Sequence, residues 1–162
     1  MIRPMIKPDF DIVKSIYLEG IASELATFET GENIGGYTEW MTKKLAGSAM
    51  VCIQDDVVVG WSALSSVSDR CVYGGVAEVS VYVSANWHGQ GIGSLLLESL
   101  INFSESNRIW TLQAGIFPEN DASVGLHRKF GFRTVGVREK LGQLNGKWRD
   151  VLLLERRSEV VM

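Results

Sequence analysis

The chain has 162 residues, enough for one domain that buries about 70% of the surface its unfolded form exposes. Hydrophobic residues make up 46% and charged residues 22%, which is ordinary for a globular protein. The net charge of −3 comes without a run of basic residues, so nothing favours a nucleic-acid partner or a membrane surface. We expect a single domain over residues 1–162.

The cysteine content and the N-terminal segment indicate the compartment. Cys52 and Cys71 are too few and too far apart for a metal cluster, and we expect no metal site. The first residues lack the apolar core of a signal peptide, and no apolar run approaches the roughly 18 residues that span a bilayer. We therefore expect a cytoplasmic protein with reduced thiols.

The spacing of apolar residues predicts seven strands and four helices. In chain order, the expected strands are residues 2–5, 49–54, 57–65, 77–84, 109–117, 132–141 and 147–156. The expected helices are residues 8–25, 37–46, 92–106 and 119–130. This order is a mixed α+β pattern with one strand–helix–strand crossover at its centre, and a ligand is expected at the carboxyl end of the central strand.

The helices are amphipathic, and Asp9 is expected to cap the first of them. The predicted inner faces are Ile12, Ile16 and Ile21 in the first helix, Ile92, Leu95, Leu96, Leu100 and Phe103 in the third, and Ala122, Leu126 and Phe130 in the fourth. Gly131 is the expected C-terminal cap of the fourth helix, and residues 142–146 are expected to join the last two strands.

A glycine-rich segment, residues 88–94 (HGQGIGS), separates the central strand from its helix. Such a turn exposes backbone N–H groups at the positive end of the helix dipole, which predicts a phosphate or pyrophosphate site. A Walker loop is excluded because no lysine follows a glycine here. The G-x-G-x-x-G dinucleotide fingerprint fails because Ser94 stands in place of the last glycine.

Two titratable residues are candidates for proton transfer. Glu78, on the central strand, is either a surface or paired carboxylate, or a general base whose partial burial would raise its pKa toward neutrality. His127 is either structural or functional; it shares a polar helix face with Asn120 and Ser123 and titrates near neutral pH.

A loop and several aromatic residues are weaker candidates. Arg70 and Tyr73 either bind a substrate carboxylate or form an exposed loop. Phe28, Trp61 and Trp148 either line a pocket or belong to the core. The residues alone therefore indicate a phosphate-bearing ligand beside a carboxylate and a histidine.

Two motifs resemble signatures of the GNAT N-acetyltransferases. Residues 81–94 (VYVSANWHGQGIGS) resemble the acetyl-CoA signature Q/R-x-x-G-x-G/A, and residues 120–132 (NDASVGLHRKFGF) resemble N-x-x-A-x-x-L-Y-x-K-x-G-F. Residues 2–155 are also similar to the phosphinothricin and methionine sulfoximine acetyltransferase branch, notably at residues 70–73 (RCVY) and 126–127 (LH). The resemblance implies a GNAT fold, with a mixed, mostly antiparallel sheet flanked by helices and splayed at a central parallel strand pair.

The resemblance further implies acetyl-CoA-dependent acetylation of the α-amine of a small amino-acid-like acceptor, by direct attack in a ternary complex. Glu78 would activate the amine, a backbone N–H near Val81 would stabilise the oxyanion, and His127 is the second catalytic residue. The residues implied to bind the cofactor are Val81, Tyr82, Val83, His88, Gly89, Gln90, Gly91, Ile92, Gly93, Ser94, Asn120, Ser123 and Lys129. The residues implied to surround the acceptor are Phe28, Glu29, Arg70, Cys71, Val72 and Tyr73. A homodimer is also implied, with residues 145–148 reaching toward the partner's site.

The sequence departs from the superfamily pattern at two positions, and two other functions stay open. His88 replaces the usual Arg or Gln, and His127 replaces the common Tyr that protonates the leaving thiolate.

A peptide or protein N-terminal acetyltransferase needs an open groove, which the loops at residues 70–73 and 145–148 would close. A non-catalytic acyl-CoA-binding module has no need for Glu78.

Overall fold

Strands and helices follow one another along the chain in the predicted order. The structure is a computed structural model that describes all 162 residues. Its strands are β1 (Ile2–Pro4), β2 (Met50–Gln54), β3 (Val57–Ser66), β4 (Val76–Val83), β5 (Thr111–Ile116), β6 (Arg133–Leu144) and β7 (Lys147–Arg157). Its helices are α1 (Phe10–Ala22), α2 (Tyr37–Thr42), α3 (Ile92–Ser106) and α4 (Asp121–Lys129). None of these helices combines the length and the apolar character needed to cross a membrane.

All seven strands belong to one sheet, in the order β1-β2-β3-β4-β5-β7-β6. Every neighbouring pair is antiparallel except β4 and β5, which are parallel because α3 carries the chain back between them. Apolar residues of α1 and α2 pack with Trp61 on one face of the sheet, while those of α3 pack with Leu64 on the other. The α+β prediction is confirmed.

The parallel pair β4–β5 is short. It comprises only three residue pairs, and the last of them joins Glu78 to Gln113. Beyond that point β4 stays paired with β3 as far as Val83, and β5 stays paired with β7 as far as Ile116. The sheet therefore splits into two halves that diverge after Glu78, and the predicted splay is confirmed.

The start of α1 differs from its prediction. A short 3₁₀ turn, Lys7–Asp9, precedes the helix, so the buried residues are Phe10, Val13 and Ile16, whereas Ile12 is 42% exposed. The Asp9 carboxylate does not cap α1. It accepts hydrogen bonds from the Arg3 guanidinium at 2.7 and 2.8 Å, and Arg3 thereby holds the pKa of Asp9 below its usual range.

The buried faces of α3 and α4 are also corrected. In α3, Leu97 and Ile101 belong to the core, whereas Leu95 is 42% exposed. The helix lies across the sheet with a wider apolar face than the single stripe that was predicted. In α4, Ala122 is exposed and His127 is buried.

The turn between the last two strands is tighter than predicted. It consists of Asn145 and Gly146 alone, whose φ angles are +50° and +79°. Such a two-residue Asn-Gly turn matches the twist of the strands it joins, so β6 continues to Leu144 instead of ending near Leu141.

Replacing Leu97 by Ala tests the corrected face of α3. Leu97 is fully buried, so Leu97→Ala is expected to lower the free energy of unfolding by about 2–5 kcal/mol through lost burial and a cavity. The matched control is Leu95→Ala, which should change it by about 0.5 kcal/mol, because that side chain is largely exposed. Urea denaturation measures both; equal losses would contradict the assignment of the buried face.

Candidate active site

Two cavities meet where β4 and β5 diverge. The glycine-loop cavity, of about 490 Å³, lies against residues 87–89 and 91–93 and the start of α4. The strand cavity, of about 390 Å³, lies against β4, β5 and residues 27–29. The residues that line both cavities are Ala26, Val81, Tyr82, Asn120, Ser123 and His127. Ligands in the two cavities would therefore meet beside Val81 and His127.

The glycine-rich segment presents a continuous row of free amides. No backbone N–H group of residues 89–94 donates a hydrogen bond within the chain, and the first amide of α3 that does so is that of Leu95, to Gly91 at 3.2 Å. Gly89 and Gly91 have φ angles of +76° and +81°, which side-chain-bearing residues rarely adopt. These amides, at the positive end of the α3 dipole, have the geometry of an anion site.

The free edge of β4 runs from this segment toward Glu78. Ser84 donates its N–H to Val59 of β3 at 2.8 Å, so alternate residues direct their main chain the other way, into the splay. Val81 and Val83 are two of these residues. The Val83 carbonyl accepts a hydrogen bond from Nε2 of His88 at 2.9 Å, so this side chain ties the glycine-rich segment to the strand. The main chain of Val81 is left free at the junction of the cavities.

His127 is 4% exposed and lines both cavities. Its Nδ1 lies 2.7 Å from the carbonyl oxygen of Ser123, and because a carbonyl can only accept, Nδ1 carries the proton. Nε2 is buried without a hydrogen-bond partner. Burial lowers the pKa of His127, and the Ser123 contact offsets this only in part. The site thus holds a neutral imidazole whose Nε2 has a lone pair free to accept.

Asn120 joins the two walls of the site. Its Oδ1 accepts from the Ser123 amide at 3.2 Å and so caps α4. Its Nδ2 donates to the carbonyl of Leu25 at 3.1 Å, in the segment that follows α1. The main chain of Glu24 in that segment also accepts from Arg149 of β7 at 3.0 Å. Segment 23–29, which contributes to the lining of both cavities, is therefore held in place by α4 and β7.

Glu78 lies in the strand cavity but is exposed, which corrects the expected partial burial. It is the last residue of β4 that pairs with β5, so no strand covers it beyond that point. Its Oε2 accepts a hydrogen bond from Nε2 of Gln113 at 3.2 Å. The carboxylate is therefore oriented by Gln113 while staying open to a ligand.

The strand cavity also contains residues that sequence reasoning missed, namely Tyr17, Lys44, Gln113, Arg138 and Leu141. Burial lowers the pKa of Lys44, while the negative charges of Glu78 and Glu29 act in the opposite direction. Burial likewise raises the pKa of Tyr82, whose ring stacks on that of Trp61 at 4.8 Å. The sequence around Lys44, at the end of the predicted second helix, gave no local signal of a cavity.

Several predicted site residues lie elsewhere. Cys71–Tyr73 forms an exposed 3₁₀ turn before β4; neither it nor Arg70 lines either cavity, and the Arg70 guanidinium lies 5.7 Å from the centre of the Tyr73 ring. Gln90, Ser94 and Lys129 do not line the cavities either. Their roles stay predictions.

The predicted aromatic residues divide between site and core. Phe28 lines the strand cavity, as does its neighbour Glu29, and its ring packs edge-on against Phe117 at 4.9 Å. Trp61 is 1% exposed and belongs to the core, whereas Trp148 is 57% exposed on β7.

These features define a class of protein. A row of free amides is suited to a phosphate-bearing carrier. An open strand edge runs from these amides to a second cavity, which contains a carboxylate and a neutral histidine. This is the arrangement of an acyltransferase. The model of the acetyltransferase (GNAT) family matches residues 17–132, and the chain belongs to that family. It is an acetyl-CoA-dependent N-acetyltransferase, as the resemblance of its two motifs predicted.

Individual relatives extend over nearly the whole chain. The L-methionine sulfoximine/L-methionine sulfone acetyltransferase of Pseudomonas aeruginosa is 26% identical, over 91% of this chain and 88% of its own. A crystal structure of a phosphinothricin acetyltransferase from Sinorhizobium meliloti in complex with acetyl-CoA has a TM-score of 0.87 and 25% identity, over 97% of this chain and 87% of that one. The structure of a ribosomal-protein-alanine N-acetyltransferase from Brucella melitensis has a TM-score of 0.88 and 29% identity, over 98% and 99%.

The buried state of His127 predicts a pH dependence of stability. Because its folded-state pKa lies below the 6.5 of an unperturbed histidine, the unfolded chain binds more protons as the pH falls through this range. The stability that neutral His127 contributes is therefore complete above about pH 7 and is lost below it, by at most about 1.4 kcal/mol per pH unit.

Urea denaturation between about pH 7 and pH 5.5 measures this effect. His127→Gln should flatten the dependence, while the control His88→Gln should keep the wild-type slope, because His88 is exposed. An unchanged slope in His127→Gln would contradict the assignment.

Proposed function

We propose that the protein transfers the acetyl group of acetyl-CoA to the α-amine of a small amino acid, or of an analogue such as phosphinothricin, methionine sulfoximine or methionine sulfone. The observation that carries the proposal is the strand cavity, whose volume suits a small molecule and whose lining has both signs of charge. Its negatively charged residues are Glu29 and Glu78, and its positively charged residues are Lys44 and Arg138. Such a lining complements a zwitterion that carries additional polar groups.

Acetyl-CoA supplies the thioester that is attacked. The free amides of residues 89–94 would hold its pyrophosphate, and the open edge of β4 would pair with its pantetheine arm as an added strand does. Because the Val83 carbonyl already accepts a hydrogen bond from His88, we assign the main-chain hydrogen bonds with the pantetheine arm to Val81. The Val81 N–H would also stabilise the negative charge that develops on the thioester oxygen.

Proton transfer is assigned to Glu78 and His127. Glu78 takes a proton from the acceptor ammonium, directly or through a water molecule, which leaves an amine able to attack. His127 carries its proton on Nδ1, so its Nε2 cannot donate to the leaving thiolate but can accept the second proton, which the amine nitrogen loses as the amide forms. The thiolate needs little help, since a thiol has a pKa near ~8.5.

Attack is direct, without an acyl-enzyme. Cys52 is fully buried in the core, and Cys71 lies in the exposed turn outside both cavities, so neither thiol is placed to take the acetyl group. The ternary complex of acceptor and acetyl-CoA would form at Val81, where the two cavities meet.

A peptide or protein N-terminal acetyltransferase is the second candidate, because the Brucella neighbour carries that name. It requires a groove open at both ends. Here segment 23–29 is tied down by Asn120 and Arg149, and the ring of Phe28 lies on Phe117, which favours a small acceptor over an extended peptide.

We also propose a homodimer in the cytoplasm, where its two free cysteines would stay reduced. Val135 and Val137 are 46% and 53% exposed on β6, an edge strand with an unpaired side, and Trp148 is 57% exposed on its partner strand β7. Such an edge is suited to a second copy of the chain.

Light scattering after size-exclusion chromatography tests the dimer. Wild type should have twice the mass of one chain, and Val137→Lys should reduce it to a monomer. Val57→Lys, which places the same charge on a valine 49% exposed at the start of β3, should stay dimeric. A monomeric wild type, or equal loss in both variants, would contradict the proposal.

Measuring CoA release tests the activity itself, with free amino acids, methionine sulfoximine, methionine sulfone, phosphinothricin and a short peptide as acceptors. We expect turnover with the small acceptors. Glu78→Gln should lower kcat by roughly 10²–10⁴-fold and keep the KM for acetyl-CoA, because only proton removal is lost. Glu98→Gln, an exposed carboxylate on α3, is the matched control.

Each other outcome has a defined meaning. Turnover with the peptide alone would establish the N-terminal acetyltransferase. Binding of acetyl-CoA without CoA release from any amine would indicate a binding module. Unchanged turnover in Glu78→Gln would remove that residue from catalysis.

A further inference from the structure

Lys44 holds an unusual position in the strand cavity. Its side chain reaches from the residues after α2, and its Nζ lies 5.0 Å from the centre of the Trp40 ring and 5.9 Å from that of Trp61. These two indoles are 4% and 1% exposed and pack against each other at 5.1 Å. The ammonium group therefore lies over a rigid aromatic surface, to which it is attracted as a cation.

No protein group pairs with this cation. The four ion pairs of the protein do not include Lys44. Glu29 and Glu78 line the same cavity, and both remain beyond ion-pair distance of it. Because Lys44 is half-buried in the wall of the strand cavity, a ligand that enters the cavity can reach its ammonium group and supply the counter-ion that the protein does not.

The other cations near the site are less suited to this role. Arg138 lines the strand cavity from the exposed part of β6, and Arg70, the residue predicted to bind a carboxylate, lies outside the cavity. Lys44 is half-buried and lies in the same cavity as Glu78. Of the two cations that line the cavity containing the proposed base, Lys44 is thus the less exposed one.

We propose that Lys44 binds the carboxylate of the acceptor and so makes the enzyme select amines that carry a neighbouring anionic group. The inference rests on the proposed function, because it names the group that the acceptor must present. The amine would then face Glu78 and Val81 while the carboxylate pairs with Lys44. A charge-assisted hydrogen bond of this kind discriminates strongly against an uncharged isostere.

Steady-state kinetics of Lys44→Gln with an amino acid and with its carboxamide test this pairing. The carboxamide keeps the amine and removes the negative charge. In wild type the acid should be the better acceptor by kcat/KM. In Lys44→Gln the KM for the acid should rise about 10–100-fold, while the KM values for the amide and for acetyl-CoA stay nearly unchanged.

Two further variants separate charge from folding. Lys43→Gln, the adjacent exposed lysine at the end of α2, is the matched control and should behave as wild type. Lys44→Arg retains the charge and should preserve the preference for the acid. If Lys44→Gln keeps that preference, the inference is overturned while acetylation by wild type still supports the proposed function. An equal fall in kcat for acid and amide would mean that Lys44 supports proton removal by Glu78 and does not bind the carboxylate. This result would also overturn the inference.

A binding measurement keeps the two proposals distinguishable if wild type acetylates no amino acid. Trp40 and Trp61 lie beside Lys44, so an N-acetylated amino acid should change the tryptophan fluorescence of wild type, and its amide should not. The same titration of Lys44→Gln should show no difference between the two ligands. A carboxylate-specific signal would uphold the inference without the proposed function; its absence would overturn the inference as well.

Discussion

The structure depends on a parallel strand pair that ends after three residue pairs. β4 and β5 separate beyond Glu78 because each is held by its other neighbour, β3 on one side and β7 on the other. Main-chain groups of Val81 are thereby left without a partner inside the sheet, which is costly unless a ligand or water satisfies them. We propose that the splay supplies both the free edge for the pantetheine arm and the space for the acceptor.

The two cavities beside this split contain different polar groups. The chain as a whole is negative, at −3, yet its glycine-rich segment has a row of unpaired N–H groups, which we propose bind the anionic carrier. The strand cavity instead contains a carboxylate oriented by Gln113 and an ammonium group without a counter-ion. His127 lines both cavities as a neutral hydrogen-bond acceptor, because burial disfavours its charged form. Each cavity is thus suited to a different half of the reaction.

Much of the fold and part of the site could be predicted from local patterns. The order of strands and helices was correct because apolar periodicity reports each element separately. The row of unpaired amides at residues 89–94 could be predicted because three glycines before an amphipathic helix have a direct geometrical consequence. Asn120, Ser123 and His127 were placed together correctly because their spacing alone puts them on one face of a helix.

What the sequence determined by itself is therefore whatever depends on neighbours along the chain: the elements, the glycine-rich turn and the two family motifs. The tertiary structure alone decided the exposure of Glu78, the position of the Arg70 turn outside the cavities, and the presence of Lys44 within one of them. The proton of His127 also belongs to this group, since burial sets its pKa. These properties arise from contacts between residues far apart in the chain, and neither periodicity nor spacing records how separate elements pack against one another.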